Sequence, residues 1–169
     1  DSREAIRRAA RTIGESGEHA WPTHEEVLDK QREYQRLFLS GSQPEALRRL
    51  REAAVEGMEF LARFEPRLYG AVLDGSADEG SPVRLQVFHD DPEAFARFLA
   101  EQGWPAEAFD LKVALRRDEV QRFLAWRFSA GGVPFEIVSL PPELLRQAPI
   151  DADGKPMARA SLAQLREKM

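Results

Sequence analysis

Apolar residues in the first third of the chain recur at helical spacing. Ser2 to Ile13, rich in Arg and Ala and stopped by Gly14, predicts a short helix. Thr23 with Glu26 three positions on forms a capping box, and Val27, Tyr34, Leu37 and Phe38 carry a second helix to Ser40-Gly41. Residues 14–22 between them read as a loop holding Trp21. Ser42 and Glu45 form another capping box with Pro44 in the first turn. The helix they open bears Leu47, Leu50, Ala54, Met58 and Leu61, a stripe that demands one buried face.

After Pro66 the period falls to two. Leu68 to Leu73 is an apolar run of strand length, and Val83, Leu85 and Val87 alternate with Arg84 and Gln86. Asp91-Pro92-Glu93 opens a helix with Phe95, Phe98 and Leu99 on one face, stopped by Gly103. Leu111, Val113 and Leu115 alternate again, as do Leu124, Trp126 and Phe128. Gly131-Gly132 turns the chain into Val133–Leu140, with Phe135 and Ile137 on one face and Glu136 and Val138 on the other. Residues 148–156 read as a surface linker, and Ser161 to Lys168 as a terminal helix. This order predicts an α+β fold: a mixed β-sheet of about five strands, helices mainly on one side, and an N-terminal helical extension. The expected divisions are 1–66 for the extension, 67–147 for the α+β core, and 148–169 for a linker with a C-terminal helix packed on that core.

Composition narrows the chemistry. A chain of 169 residues with 43% apolar content can bury a full core without metal or disulfide support. The absence of cysteine removes disulfides, Cys-ligated zinc, iron–sulfur clusters and thiol nucleophiles. No apolar run spans a membrane, and Asp1-Ser2-Arg3-Glu4 opens no signal peptide, so the expectation is a cytoplasmic protein with no membrane partner. Arginine outnumbers lysine 20 to 4, which reads first as genome composition. The formal charge of -5 resides in Asp74–Glu93, which holds six acids and the single base Arg84. The remainder balances at 23 acids and 23 bases, so a nucleic-acid partner is not expected.

That acidic segment contains the informative motif. It reads Leu73-Asp74-Gly75-Ser76-Ala77-Asp78-Glu79-Gly80-Ser81-Pro82-Val83-Arg84-Leu85-Gln86-Val87-Phe88. A strand running into Gly-Ser, a polar loop, and Ser-x-hydrophobic-x-Leu resembles the nucleotidyltransferase superfamily with the polymerase-beta-like fold. The resemblance covers Arg67 to Leu140. It implies that amides of a Gly-Ser turn approach the triphosphate of a nucleotide, with Gly75, Ser76 and Ser81 at the phosphate. It also implies that an Asp-x-Asp pair on the next strand and a third carboxylate from a later strand hold Mg²⁺ for in-line phosphoryl transfer. Glu136 stands in the third place. The Asp-x-Asp places, however, are taken by Pro82 and Arg84. Proline offers no oxygen ligand, and a guanidinium is a permanent cation where Mg²⁺ needs a carboxylate.

Arg84 is therefore expected to replace the metal and pair with Glu136 across neighbouring strands, leaving a catalytically degenerate protein with a nucleotide-binding or regulatory role. One alternative keeps Mg-dependent nucleotidyl transfer, with Asp74, Asp78, Glu79 and Asp90 as displaced ligands. Another is a protein-interaction module that forms a homodimer or holds a partner through its N-terminal helices.

Other candidates have simpler readings. His19 and His24 lack metal-ligand spacing, and His89 is either a general base near the site or a strand-end residue. Asp151-Ala152-Asp153-Gly154 is a turn, because its glycine comes too early for a calcium loop. Arg116, Arg117, Arg122 and Arg127 lie on a predicted hairpin, where cross-strand pairing is the ordinary expectation and a phosphate site the alternative.

Overall fold

A computed structural model of the chain describes residues 43–169. The expected helices at 2–13 and 23–39, with His19, Trp21 and His24, lie outside the described residues. Helix α1 (Gln43–Phe60) follows from its stripe: Ala46, Leu50, Ala54 and Met58 are buried along one face, and Leu61 continues it. A 3₁₀ turn (Ala62–Phe64) leads to strand β1 (Arg67–Tyr69). Gly70 then turns the chain into a single helical turn, α2 (Ala71–Asp74). The order continues with β2 (Val83–Phe88), α3 (Pro92–Gln102), β3 (Glu107–Arg116), β4 (Glu119–Ala130) and β5 (Val133–Leu140). The one-turn helix α4 (Glu143–Arg146) and helix α5 (Leu162–Lys168) complete the chain. Among the described residues no helix is long and apolar enough to cross a membrane.

Five strands form one mixed sheet in the order β1-β2-β5-β4-β3. The β1–β2, β5–β4 and β4–β3 pairs are antiparallel, while β2 and β5 run parallel. The crossover between β2 and β5 contains α3 and the β3–β4 hairpin. Its last turn is Gly131-Gly132, both at positive φ.

Strand alternation gives the sheet two unlike faces. Leu68, Leu85, Ile137 and Trp126 form a cross-strand row on one face, in one core with Leu50, Met58, Phe95 and Leu165 from the helices. Helices α1 and α3 cover this face. Gly57 lets α1 approach closely, since a Cβ there would sit 2.9 Å from Phe135 Cε2. The unit from Ala46 to Met169 is compact, and α1 shares its core with the sheet.

The helix starts follow their caps. Asp91 Oδ1 accepts from Glu93 N at 2.9 Å, with Pro92 in the first turn of α3, so Asp91 and not Asp90 caps it. The Arg97 guanidinium beside it holds the Asp91 carboxyl below the usual carboxylate range. Ser161 and Gln164 form a reciprocal capping box at α5.

Two expectations need correction. The apolar run Leu68–Leu73 is not one strand. Gly70 adopts φ +83 and ψ -156, after which Ala71–Asp74 coil as a helical turn with Val72 and Leu73 buried. Length and hydrophobicity do not separate a short strand from a buried turn. Residues 148–156 are not a free linker either. Ile150 N donates to Ala114 O at the β3 edge, and Ala160 exchanges two backbone hydrogen bonds with Leu68 at the β1 edge. Residues 148–160 are therefore a strap tied to both edges of the sheet.

Candidate functional site

The face away from α1 and α3 carries the polar chemistry. One register row runs across all five strands: Tyr69, Arg84, Glu136, Arg127, Glu107. The next row is Arg67, Gln86, Val138, Ala125, Phe109. Beyond it the face turns apolar, where Phe88, Val138 and Leu140 pack with Leu144 and Leu145. A cleft of about 1480 Å³ lies over the polar rows, lined by Tyr69, Gly70, Arg84, Gln86, Glu136 and Arg159 among others. A second hollow of about 580 Å³ adjoins it and is lined by Pro82, Arg127 and Glu136.

Glu136 stands between the two hollows with its side chain only 12% exposed. Arg84 Nε lies 3.9 Å from Oε1, and Arg127 Nε lies 3.5 Å from Oε2. These contacts are ion pairs without a hydrogen bond. The guanidinium donors of both arginines thus stay available, and two cations flank one carboxylate. The Arg127 guanidinium carbon also lies over the Phe109 ring, 3.9 Å from its centroid.

Tyr69 completes the row beside Arg84. Its phenol is pushed up to about 12, first by burial, then by the Glu136 charge, against the opposing pull of Arg84. Because the folded pKa lies above the unfolded value of 10.0, this contribution to stability is whole below about pH 10. It is lost as pH rises through about 12. Ultraviolet titration of phenolate formation, with Tyr69→Phe to subtract the other tyrosine, is expected to show one residue ionising late in the native protein.

Gly70 lies against Arg84, since a Cβ there would meet Arg84 Cδ at 3.5 Å, and its dihedrals suit glycine alone. Gly70→Ala is expected to cost about 1–3 kcal/mol. A lowered urea midpoint with an unchanged denaturant slope checks this.

The Gly75-Ser76 segment is placed differently from the expected strand-to-turn junction. Gly75 ends α2 with φ +92. Gly75 N donates to Ala71 O, Ser76 N to Asp74 Oδ1, Ala77 N to Ala71 O, and Asp78 N to Ser81 Oγ. An anion at these amides would have to displace bonds already made. Ser81 Oγ in turn donates to Asp78 Oδ1 at 3.2 Å.

The displaced carboxylates do not converge. Asp74 and Asp78 each spend an oxygen on their own turn, and Glu79 and Asp90 are exposed. Among the described residues no group of three His, Cys, Asp or Glu stands close enough to hold a metal ion. Glu136 is the one carboxylate in the expected ligand places, and its oxygens face guanidiniums. This donor set does not fit a Mg²⁺ site.

The remaining candidates scatter. His89 lies at the far end of β2 from Arg84, and its Nδ1 accepts from Asp91 N at 2.9 Å. Asp151 Oδ1 closes its own turn by accepting from Asp153 N and Lys155 N. Arg116 pairs with Glu119 at the hairpin turn, while Arg122 falls on the opposite face of β4 from Arg127.

Sequence reasoning missed Tyr69, Gly70, Gln86 and Arg159 as cleft residues, and it offered Arg127 as a hairpin phosphate candidate without placing it beside Glu136. Alternation alone sets Arg127 opposite in phase to Trp126 and Phe128, and hence on a face of its own. Only the strand register shows that this is the face of Glu136. No protein-family model, curated protein or solved structure matches the chain.

Proposed function

We propose that the chain is a divergent nucleotidyltransferase-like protein whose cleft binds a nucleoside triphosphate through guanidinium groups, in a binding or regulatory role without catalysis. The observation that carries this reading is the row Arg84–Glu136–Arg127. A cation occupies the place of a metal-binding aspartate, in register with the carboxylate from the parallel neighbouring strand. The order of elements supports it: a first strand, a glycine turn, a short helix, an antiparallel second strand, and later a parallel strand bearing the carboxylate.

On this reading the turn nearest the phosphates is Gly70-Ala71, because Gly70 and not Gly75 ends the first strand and touches Arg84. Ala71 offers no hydroxyl there, a further departure from the family pattern. Two guanidiniums flank Glu136, so a phosphate there meets charge-assisted donors while a bare divalent cation meets two like charges.

Isothermal titration of the full chain with ATP or GTP in the presence of a chelator tests it. Binding without metal is the expected result. No heat at millimolar nucleotide, with or without Mg²⁺, would count against the reading.

A further inference from the structure

The strap carries a charge that no carboxylate among the described residues pairs with. Arg159 Nη1 donates to Gln86 Oε1 at 2.9 Å and to Leu144 O at 2.8 Å, and Nη2 donates to Leu145 O at 3.0 Å. All three acceptors are neutral. The guanidinium lies 5.5 Å from the Phe88 ring centroid, and no carboxylate among the described residues pairs with it. Its Nε–H and one Nη2–H have no partner among the described residues.

Arg67 is the register partner of Gln86 on the same face of the sheet. Its Nη1 reaches the Glu65 and Pro66 carbonyls at 3.3 and 2.9 Å, so its Nε–H and both Nη2–H groups also remain. It too lacks a carboxylate partner. Arg159 thus bonds to a buried glutamine whose register partner is Arg67, and among the described residues both arginines have neutral acceptors only. Burial, and then the charge of Arg67, lowers the affinity of Arg159 for its proton, as expected for neighbouring uncompensated cations.

We infer that Arg67, the register partner of Gln86, and Arg159, its hydrogen-bond partner, form a phosphate-binding site at the β1 edge of the sheet, beside the cleft. Five free N–H donors and two positive charges suit a phosphate group, with about 1.5 to 2 negative charges and three acceptor oxygens. A carboxylate, with one charge and two oxygens, would leave one cation unpaired. Gln86 fixes the geometry. Its side chain is 1% exposed, its Oε1 holds Arg159, and its Nε2 donates to Met157 Sδ at 3.2 Å. Arg84 lies two residues away on the same strand face, about 7 Å along the strand. A ligand with two separated phosphates can therefore engage both places. The assignment itself stands on Arg67, Gln86 and Arg159, whether or not Arg84 holds a nucleotide.

The test follows the Arg Nε–H signals of ¹⁵N-labelled full chain by NMR while inorganic phosphate, or in a second arm acetate, is added. The Arg67 and Arg159 signals are expected to move saturably with phosphate and with weaker affinity for acetate. Arg67→Gln spares the strap bonds and is expected to weaken phosphate binding about tenfold. Arg84→Gln is expected to change it by less than about twofold. Circular dichroism of each variant confirms the fold. The inference is overturned by unmoved Arg67 and Arg159 signals, by acetate binding as tightly as phosphate, or by phosphate binding that Arg84→Gln removes and Arg67→Gln leaves intact. The last result would assign the anion to the Arg84 row and leave the nucleotide reading standing.

Discussion

Arg84→Asp is expected to weaken nucleoside triphosphate binding by about 100-fold or more in the presence of chelator. Arg84 supplies one of the two guanidiniums beside Glu136, and its loss removes charge-assisted hydrogen bonds to phosphate. The introduced carboxylate also stands in register beside Glu136, so a cation is replaced by a second anion next to the phosphates. The same variant is expected to gain a thermal shift with Mg²⁺, since two carboxylates on adjacent strands of one face offer a divalent cation its preferred ligands. Calorimetry reads the first effect and a melting curve the second. Triphosphate affinity unchanged in the variant would show that Arg84 does not touch the ligand.

Phe95→Ala is expected to destabilise the fold by about 4 kcal/mol. Phe95 is fully buried where α3 meets the sheet. Its ring sits edge-on to Phe64 at 5.1 Å and to Trp126 at 5.1 Å, and stacks with Phe98 at 6.1 Å. Truncation loses the burial and all three ring contacts, and rigid neighbours on both sides leave little room for collapse. Since domains of this size are stable by only about 5–15 kcal/mol, the variant is expected to keep little margin. Urea unfolding checks it. A loss under about 1 kcal/mol would mean that α3 packs loosely on the sheet.

Much of this fold was legible because single periods dominate its elements. The α1 stripe, the alternation of β2, the caps of α3 and α5 and the Gly131-Gly132 turn each follow from local rules. The segment Leu68–Leu73 was not, because its two halves are equally apolar and only the positive φ at Gly70 separates strand from helical turn. The strap was not legible either. Its polar composition suggests a loop, whereas its position comes from long-range bonds to Leu68, Gln86 and Ala114. The candidate site was half legible. The motif pointed to Arg84 and Glu136 but not to Arg127 and Tyr69, which join them only through the register of separate strands.

The most direct measurement is ATP titration of Glu136→Gln beside the unaltered chain, both in chelator. If guanidiniums hold the phosphates, Glu136 is a competitor for Arg84 and Arg127, and removing its charge is expected to tighten binding by about tenfold. If Glu136 instead serves the ligand through a bound cation or accepts hydrogen bonds from it, the same change weakens binding. Weaker binding by Glu136→Gln would contradict the proposed role of the Arg84–Glu136–Arg127 row.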